Sequence, residues 1–350
     1  MNEADVILES WLSSSQRTLV PAQKEKVLKA FQECPLPLYL KLSFDQACRW
    51  KSYTPANETV LPAGVKNVVN EFFDQVERRH GKILVSHSLA YITASKNGLT
   101  EPELEDILSL DDEVLDDVYQ YWTPPFRRLP PLLWIRIRSD IGDYLIERGA
   151  DESRVIYWYH RQFIEVATDR YLRAQAEVHS KLADYFLGKW SNGAGKPYVD
   201  KDGQKVVKDR LVAKQPLTFR NEKEKREVFN LRKLNELPHH LLHAGDLQRL
   251  KEEALCNFGF LLAKLRATSL ESVLDDFVAS LLVNPEDEDL IELEKTLQLS
   301  SVALKSDANQ LAPQLLGRLT SFHGKDEFSG INLLLQQAYS SSVQIGRAHV

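Results

Sequence analysis

The sequence predicts a mainly α protein: a small helical domain, a winged-helix domain with a β-hairpin wing, then an α-solenoid-like helical domain. Three observations lead there. Apolar residues recur at helical spacing through most of the chain, as in Val65, Val68, Val69, Phe72, Phe73 and Val76. Residues 144–158 instead read as two short apolar runs around the polar turn Arg148-Gly149-Ala150-Asp151, the pattern of a hairpin. From Asn230 onward, short amphipathic runs follow one another with short connections, as stacked helix pairs do.

The elements follow in order. Val6, Ile7 and Leu12 mark a helix over Ala4–Leu12. Val20-Pro21 opens a second, with proline in its first turn and Val27, Leu28 and Phe31 on one face. The run from Cys34 to Leu40 interrupts and restarts the helix, and Phe44, Ala47 and Trp50 extend its buried stripe. Residues 52–62 read as a linker. Gly64–Arg79 and Ile83–Thr93 are amphipathic and apolar helices, the second ending near Asn97-Gly98. Thr100 with Glu103 has capping-box spacing. Asp111–Trp122 reads as a further helix, Pro124–Pro131 as a bend, and Leu132–Ile141 as a helix whose Trp134–Arg138 core also alternates like a strand. Tyr144–Glu147 and Arg154–Trp158 form the hairpin, and His160–Leu187 a single long helix. Three helices, a hairpin and a helix are the order of a winged-helix domain, placed at about 61–175, or 61–187 with the whole of that last helix. Residues 188–229 are the least hydrophobic stretch and read as a loop or insertion, partly ordered near Pro216–Phe219. Short helices follow over Leu231–Ala244, Asp246–Ala254, Asn257–Ala267, Leu270–Leu282, Glu286–Ser300, Leu311–Leu319 and Ser329–Ala338, giving a helical domain at 230–340.

Bulk properties bound the function. The 350 residues suit two or three domains, and 43% hydrophobic with 27% charged residues is ordinary for a globular chain. A net charge of −6 argues against a dominant nucleic-acid surface. No stretch approaches the ~20 apolar residues that cross a bilayer, and the first residues lack a signal-peptide pattern. Cys34, Cys48 and Cys256 are few and widely spaced, so a reducing, cytoplasmic setting is expected. Residues 345–350 can be back-translated into a common sequencing-adapter sequence and are set apart from the fold as an artefact.

Four blocks together resemble the middle of the NACHT and WD-repeat domain proteins, relatives of the apoptosome-type signalling NTPases. They are Pro35–Leu42, Asn97–Ser109, Trp158–Ala167 and Glu236–Gly245, and the resemblance covers about residues 3–265. It implies that residues 1–52 are the last helical part of an NTPase module whose P-loop core lies upstream, and that WD repeats lie downstream. It implies ATP or ADP as the ligand of the intact protein, with none bound tightly by this chain. Activation by opening and homo-oligomerisation follows from the same likeness.

Two site residues come from that resemblance. His160, in the run Trp158-Tyr159-His160-Arg161-Gln162-Phe163-Ile164-Glu165, corresponds to a histidine that caps a nucleotide phosphate and holds the closed state. A histidine at a strand-to-helix junction can aim its ring at an external phosphate, and partial protonation adds charge assistance; the residues alone equally allow a structural histidine bonded to a carbonyl. Pro37 lies where such NTPases carry Gly-Leu-Pro-Leu, whose proline packs near the nucleotide, with Pro35 here replacing the glycine and Tyr39 a small residue.

Other patterns are weaker. Gly193–Pro197 fails the phosphate-loop rule, since Trp190 stands at the first glycine and Pro197 replaces the hydroxyl. His239, His240 and His243 have metal-ligand spacing, but no further ligand is evident and they read as the polar face of a helix anchored by Leu237, Leu241 and Leu242, so no metal is expected. No catalytic residue is expected either, for want of a P-loop, a nucleophile elbow or a Cys–His pair. Arg127, Arg128, Arg136 and Arg138 surround the candidate recognition helix, yet Leu132, Leu133, Trp134, Ile135 and Ile137 crowd it, which suits protein packing better than a DNA groove. The leading reading is the regulatory and interaction region of a nucleotide-switched NTPase, coupling nucleotide state to WD-repeat sensor and assembly. A stand-alone helical scaffold for protein partners is the alternative, and a winged-helix DNA binder ranks third.

Overall fold

The structure is a computed structural model that describes residues 3–55, 57–121, 127–191, 195–199, 205–206, 210, 212–221 and 226–348. The expectations for Trp122–Phe126, Gly193, Ala194, His349 and Val350 lie outside the described residues. In chain order the elements are α1 (Glu3–Ser14), α2 (Pro21–Glu33), α3 (Pro37–Ala47), α4 (Val65–His80), α5 (Lys82–Ala94), α6 (Glu101–Leu110), α7 (Asp112–Val118) and α8 (Pro131–Ile141). Then come β1 (Leu145–Ala150), β2 (Ser153–Trp158), α9 (Arg161–Tyr171), α10 (Gln175–Leu187), β3 (Tyr198–Val199), β4 (Lys205–Val206), β5 (Thr218–Asn221) and β6 (Arg226–Phe229). The rest is helical: α11 (Leu231–His243), α12 (Leu247–Leu250), α13 (Phe258–Ala267), α14 (Leu270–Val283), α15 (Glu288–Leu299), α16 (Ser301–Ser306), α17 (Leu311–Leu319) and α18 (Ser329–Ala348). Among the described residues, the sheets are three two-stranded pairs, β1 with β2, β3 with β4 and β5 with β6. No described helix is long and apolar enough to cross a membrane. Contacts divide the chain into two compact units, residues 1–93, 130–146 and 156–173 in one, and 94–129, 147–155 and 174–350 in the other.

The first unit has two apolar centres. Ala4, Leu8 and Leu12 of α1, Val27 of α2, and Leu40, Phe44 and Ala47 of α3 form one cluster. Pro37 takes the first position of α3, where a missing N–H costs nothing. The second centre is aromatic. Phe163 is fully buried and stacks on Tyr144 with ring centroids at 4.6 Å and on Trp158 at 5.6 Å. Phe72 and Phe73 of α4 meet it edge-on at 6.2 and 6.0 Å.

α8 is a helix over the segment that also alternates like a strand. Trp134, Ile137 and Ile141 fall on its buried side at three- and four-residue spacing, while Leu132 and Ile135 remain exposed. The expected long helix over 160–187 is two helices, α9 and α10. No glycine or proline marks the break. The end of α9 is held to α4: Arg170 binds Glu77 and Asp74, and the Tyr171 hydroxyl donates to Glu77 at 2.7 Å.

In the second unit Thr100 and Glu103 form the expected capping box. The Glu103 amide donates to Thr100 Oγ1 at 3.2 Å and the Thr100 amide to Glu103 Oε2 at 2.8 Å. The 188–229 stretch holds more structure than a loop, since β5 and β6 pair antiparallel from Thr218 against Phe229 to Asn221 against Arg226. Consecutive helices then pack on one another, α10 on α11, α11 on α13, α13 on α14 and α14 on α15. α18 returns to α13 and α15, and its Gly330 and Ile331 amides both donate to the Asp289 carboxylate at 3.0 Å.

Candidate functional site: a capping histidine and a buried charge latch

His160 sits between two anchored aromatics. Trp158 is fixed by its indole N–H, which donates to Thr93 Oγ1 at 2.8 Å, and Phe163 is locked in the aromatic centre. The chain between them turns from strand to helix at His160, the N-cap of α9 with φ −129° and ψ 137°. The Gln162 amide donates to His160 Nδ1 at 3.3 Å. A neutral ring whose Nδ1 accepts must carry its proton on Nε2. The cap therefore fixes the tautomer that offers Nε2–H as a donor from a half-buried ring. Glu165 pairs within the helix with Arg161, one turn away at 2.9 Å.

Pro37 is exposed beside Leu36, itself 45% exposed, so the start of α3 presents a small apolar step. Tyr39 does not crowd it, because its ring is buried and its hydroxyl donates to the Pro62 carbonyl at 2.8 Å. Tyr144 binds both α3 and the segment just before His160. The Tyr144 hydroxyl donates to Asp45 of α3, and the Tyr144 carbonyl accepts from the amide of Tyr159, next to His160, at 2.9 Å.

The second unit holds a network that sequence reasoning missed. Arg232, 6% exposed, reaches from α11 to three carboxylates. Its Nε and one Nη bind Glu103 at 2.9 and 3.0 Å, and the other Nη binds Asp151 at 3.0 Å and Glu236 at 3.2 Å. The Gly98 carbonyl accepts a further bond at 2.7 Å. Burial disfavours the charge, but Glu103, Glu236 and Asp151 outweigh it and hold the guanidinium firmly protonated. Glu236 is fully buried and is satisfied further by the amides of Lys96 and Asn97, each at 2.9 Å.

Asp151 is the tip of the hairpin. The strands run further than the sequence suggested, and the turn is Asp151-Glu152 at φ +52° and +57°, rather than the glycine-containing Arg148–Asp151. Two left-handed non-glycine residues are strained. The Asp151 carboxylate holds the turn by accepting from Asn235 at 2.6 Å, Asn97 at 3.2 Å and Arg232 at 3.0 Å. The only local hint of this latch was the i, i+4 spacing of Arg232 and Glu236.

The α11 histidines are not simply a polar face. His240 is fully buried, His239 half-buried and His243 exposed, and a fourth, His179 of α10, is buried against them. His179 Nδ1 lies 2.8 Å from His240 Nδ1. Burial and the neighbouring imidazoles push His179 down to about 3, and the same causes push His239 to about 3. Burial likewise drives His240 well below its usual value.

Comparison with known proteins gives the family. Residues 58–179 match the family model described as the NWD1-like winged helix-turn-helix domain. The chain is 38% identical over 353 residues to the human NACHT domain- and WD repeat-containing protein 1, and 37% identical over 352 residues to the mouse protein. Each alignment spans 97% of this chain and 22% of the relative. The mouse NACHT and WD repeat domain-containing protein 2 is 31% identical over 77% of the chain and 17% of its own length. No solved structure matches.

Proposed function

We infer that this chain, which belongs to the family of NACHT and WD-repeat domain proteins, is the regulatory and interaction region of a nucleotide-switched signalling NTPase. In the intact protein a P-loop core would bind ATP or ADP, supplying a phosphate anion, and WD repeats would act as sensor. The chain spans 22% of the human and mouse relatives, which leaves room for both. The carrying observation is the fixed tautomer of His160, with Nδ1 occupied by the Gln162 amide and Nε2–H left as a donor. That donor would bind a nucleotide phosphate in the closed state, with the apolar step at Leu36 and Pro37 against the base. With Nδ1 engaged by the Gln162 amide and the proton on Nε2, the His160 ring has no free lone pair to act as a base, so the assigned role is restraint rather than catalysis. The Arg232 latch supports coupling, since one side chain ties the hairpin tip, the α6 cap and α11 together. Three free cysteines, Cys34, Cys48 and Cys256, accord with a cytoplasmic setting.

The test is the state of assembly of the intact protein. His160→Leu should shift it from closed monomer toward open oligomer. His160→Asn, which keeps an N-cap but falls short of a phosphate, should do the same, separating ligand contact from helix capping. Unchanged assembly in both variants would sink this reading.

A second reading, a helical scaffold for protein partners, is favoured by Leu282, Leu299 and Val302, 81, 62 and 86% exposed near the ends of α14, α15 and α16. DNA binding has less support, because Arg127 pairs with Asp116 and Arg128 with Asp106.

A further inference from the structure

The four histidines form a built cluster that the nucleotide switch does not use. The His179 ring lies 5.4 Å from His239, 5.1 Å from His240 and 5.0 Å from His243, centroid to centroid. One nitrogen from each of His179, His239 and His240 falls within 4.8 Å of the others. Around a tetrahedral ion with bonds of about 2.0–2.1 Å, ligand nitrogens stand roughly 3.3 Å apart. The cluster brackets that spacing, and the His179–His240 pair at 2.8 Å need only part by about half an ångström.

The surroundings orient His239 as in metal sites, where a ligating imidazole is held through its other nitrogen. His239 donates from Nε2 to the Ala94 carbonyl at 3.3 Å, so its lone pair sits on Nδ1. His240 Nε2 lies 3.2 Å from the Glu236 carboxylate, off hydrogen-bond geometry but close enough for that charge to hold the Nε2–H form. Its Nδ1 is the atom that meets His179. His243 donates from Nδ1 to the His239 carbonyl at 2.8 Å, so its lone pair sits on Nε2.

Three imidazoles packed at one point share a single N–H···N contact, a poor use of buried polar groups if packing were their only purpose. We propose that His179, His239 and His240 bind a divalent transition-metal ion of the zinc class, with His243 or water as the fourth ligand. Three neutral nitrogen donors suit Zn2+, Ni2+ or Cu2+ and not Mg2+ or Ca2+, which want oxygen. The ion takes the place of the proton shared by His179 and His240. That proton moves to His179 Nε2, so all three ligands stay neutral and no net proton is released. The ion would cross-link α10 to α11, four residues from the Glu236 arm of the latch.

The test is titration of the chain with Co2+, read by visible absorption. The expected result is one equivalent bound with the intense d–d bands of tetrahedral nitrogen coordination, displaced by Zn2+, and absent in His179→Phe. Should that variant fail to fold, thermal unfolding of the unsubstituted chain decides: Zn2+ should raise Tm relative to EDTA. Failure of the unsubstituted chain to take up an equivalent, uptake that persists in folded His179→Phe, or a Tm indifferent to Zn2+ would each overturn the proposal. Assembly of the intact protein does not enter, so its outcome is separate from that of the nucleotide switch.

Discussion

Arg232 grips Glu103 with two parallel bonds, Nε to Oε1 at 2.9 Å and Nη2 to Oε2 at 3.0 Å. The same carboxylate closes the capping box on the Thr100 amide. One oxygen pair therefore starts α6 and receives α11. Replacing Arg232 by Met would strand three carboxylates in a buried site, and breaking such a pair costs about 3–5 kcal/mol. Urea denaturation of the chain should read a loss of that order. Arg232→Lys should recover only part of it, because an ammonium cannot fork onto Glu103 while also reaching Asp151.

Asp151 joins strain to restraint. Its φ of +52° is held by bonds from Asn235, Asn97 and Arg232. Asp151→Ala should cost roughly 1–3 kcal/mol, the usual range for leaving buried donors unpaired. Amide exchange across residues 147–155 should quicken more than exchange in α4, and equal change in both would argue against a local latch.

Tyr144 ties the aromatic centre to α3 through Asp45. Burial and then the Asp45 charge push its hydroxyl far above the ordinary range, so it acts as a donor at any working pH. Tyr144→Phe keeps the stack on Phe163 and removes only the bond. A loss of about 1.5–3 kcal/mol is expected for a bond to a charged acceptor. Thermal denaturation checks it, and no change would mean that Lys41, 2.7 Å from Asp45, already satisfies that carboxylate.

Acid stability should carry the mark of Asp140. Burial raises its pKa, but the bonds from His80 and Arg79 outweigh burial and leave it below 3.8. A carboxylate whose folded pKa is depressed contributes stability that is present above its unfolded value and is lost as pH falls through the folded one. The unsubstituted chain should therefore lose stability below about pH 3.8. Asp140→Asn should flatten that limb in denaturation curves taken across the acid range.

Features set by neighbours in sequence were legible, and features set by distant partners were not. The capping box of Thr100 and Glu103, Pro37 at a helix start, and the hairpin before His160 depend on residues within a few positions. The frame of His160 was half legible: the Trp158, His160 and Phe163 spacing could be read, but not that Phe163 would lie between Tyr144 and Trp158. Arg232 and Glu103 stand 129 positions apart, and His179 and His240 stand 61 apart, so no local pattern pairs them. The break between α9 and α10 was hidden because no glycine or proline stands in Leu172-Arg173-Ala174 to mark it. Residues 218–229 read as mostly loop because strands of four residues give too few positions for alternation to show.

The most direct measurement of the central claim is the rate of ADP release from the intact protein, with and without His160→Asn. If Nε2–H bonds a phosphate, losing that charge-assisted contact should speed release about tenfold or more, for a bond worth roughly 1.5–3 kcal/mol. Identical release from both proteins would contradict the account and leave His160 as no more than the cap of α9.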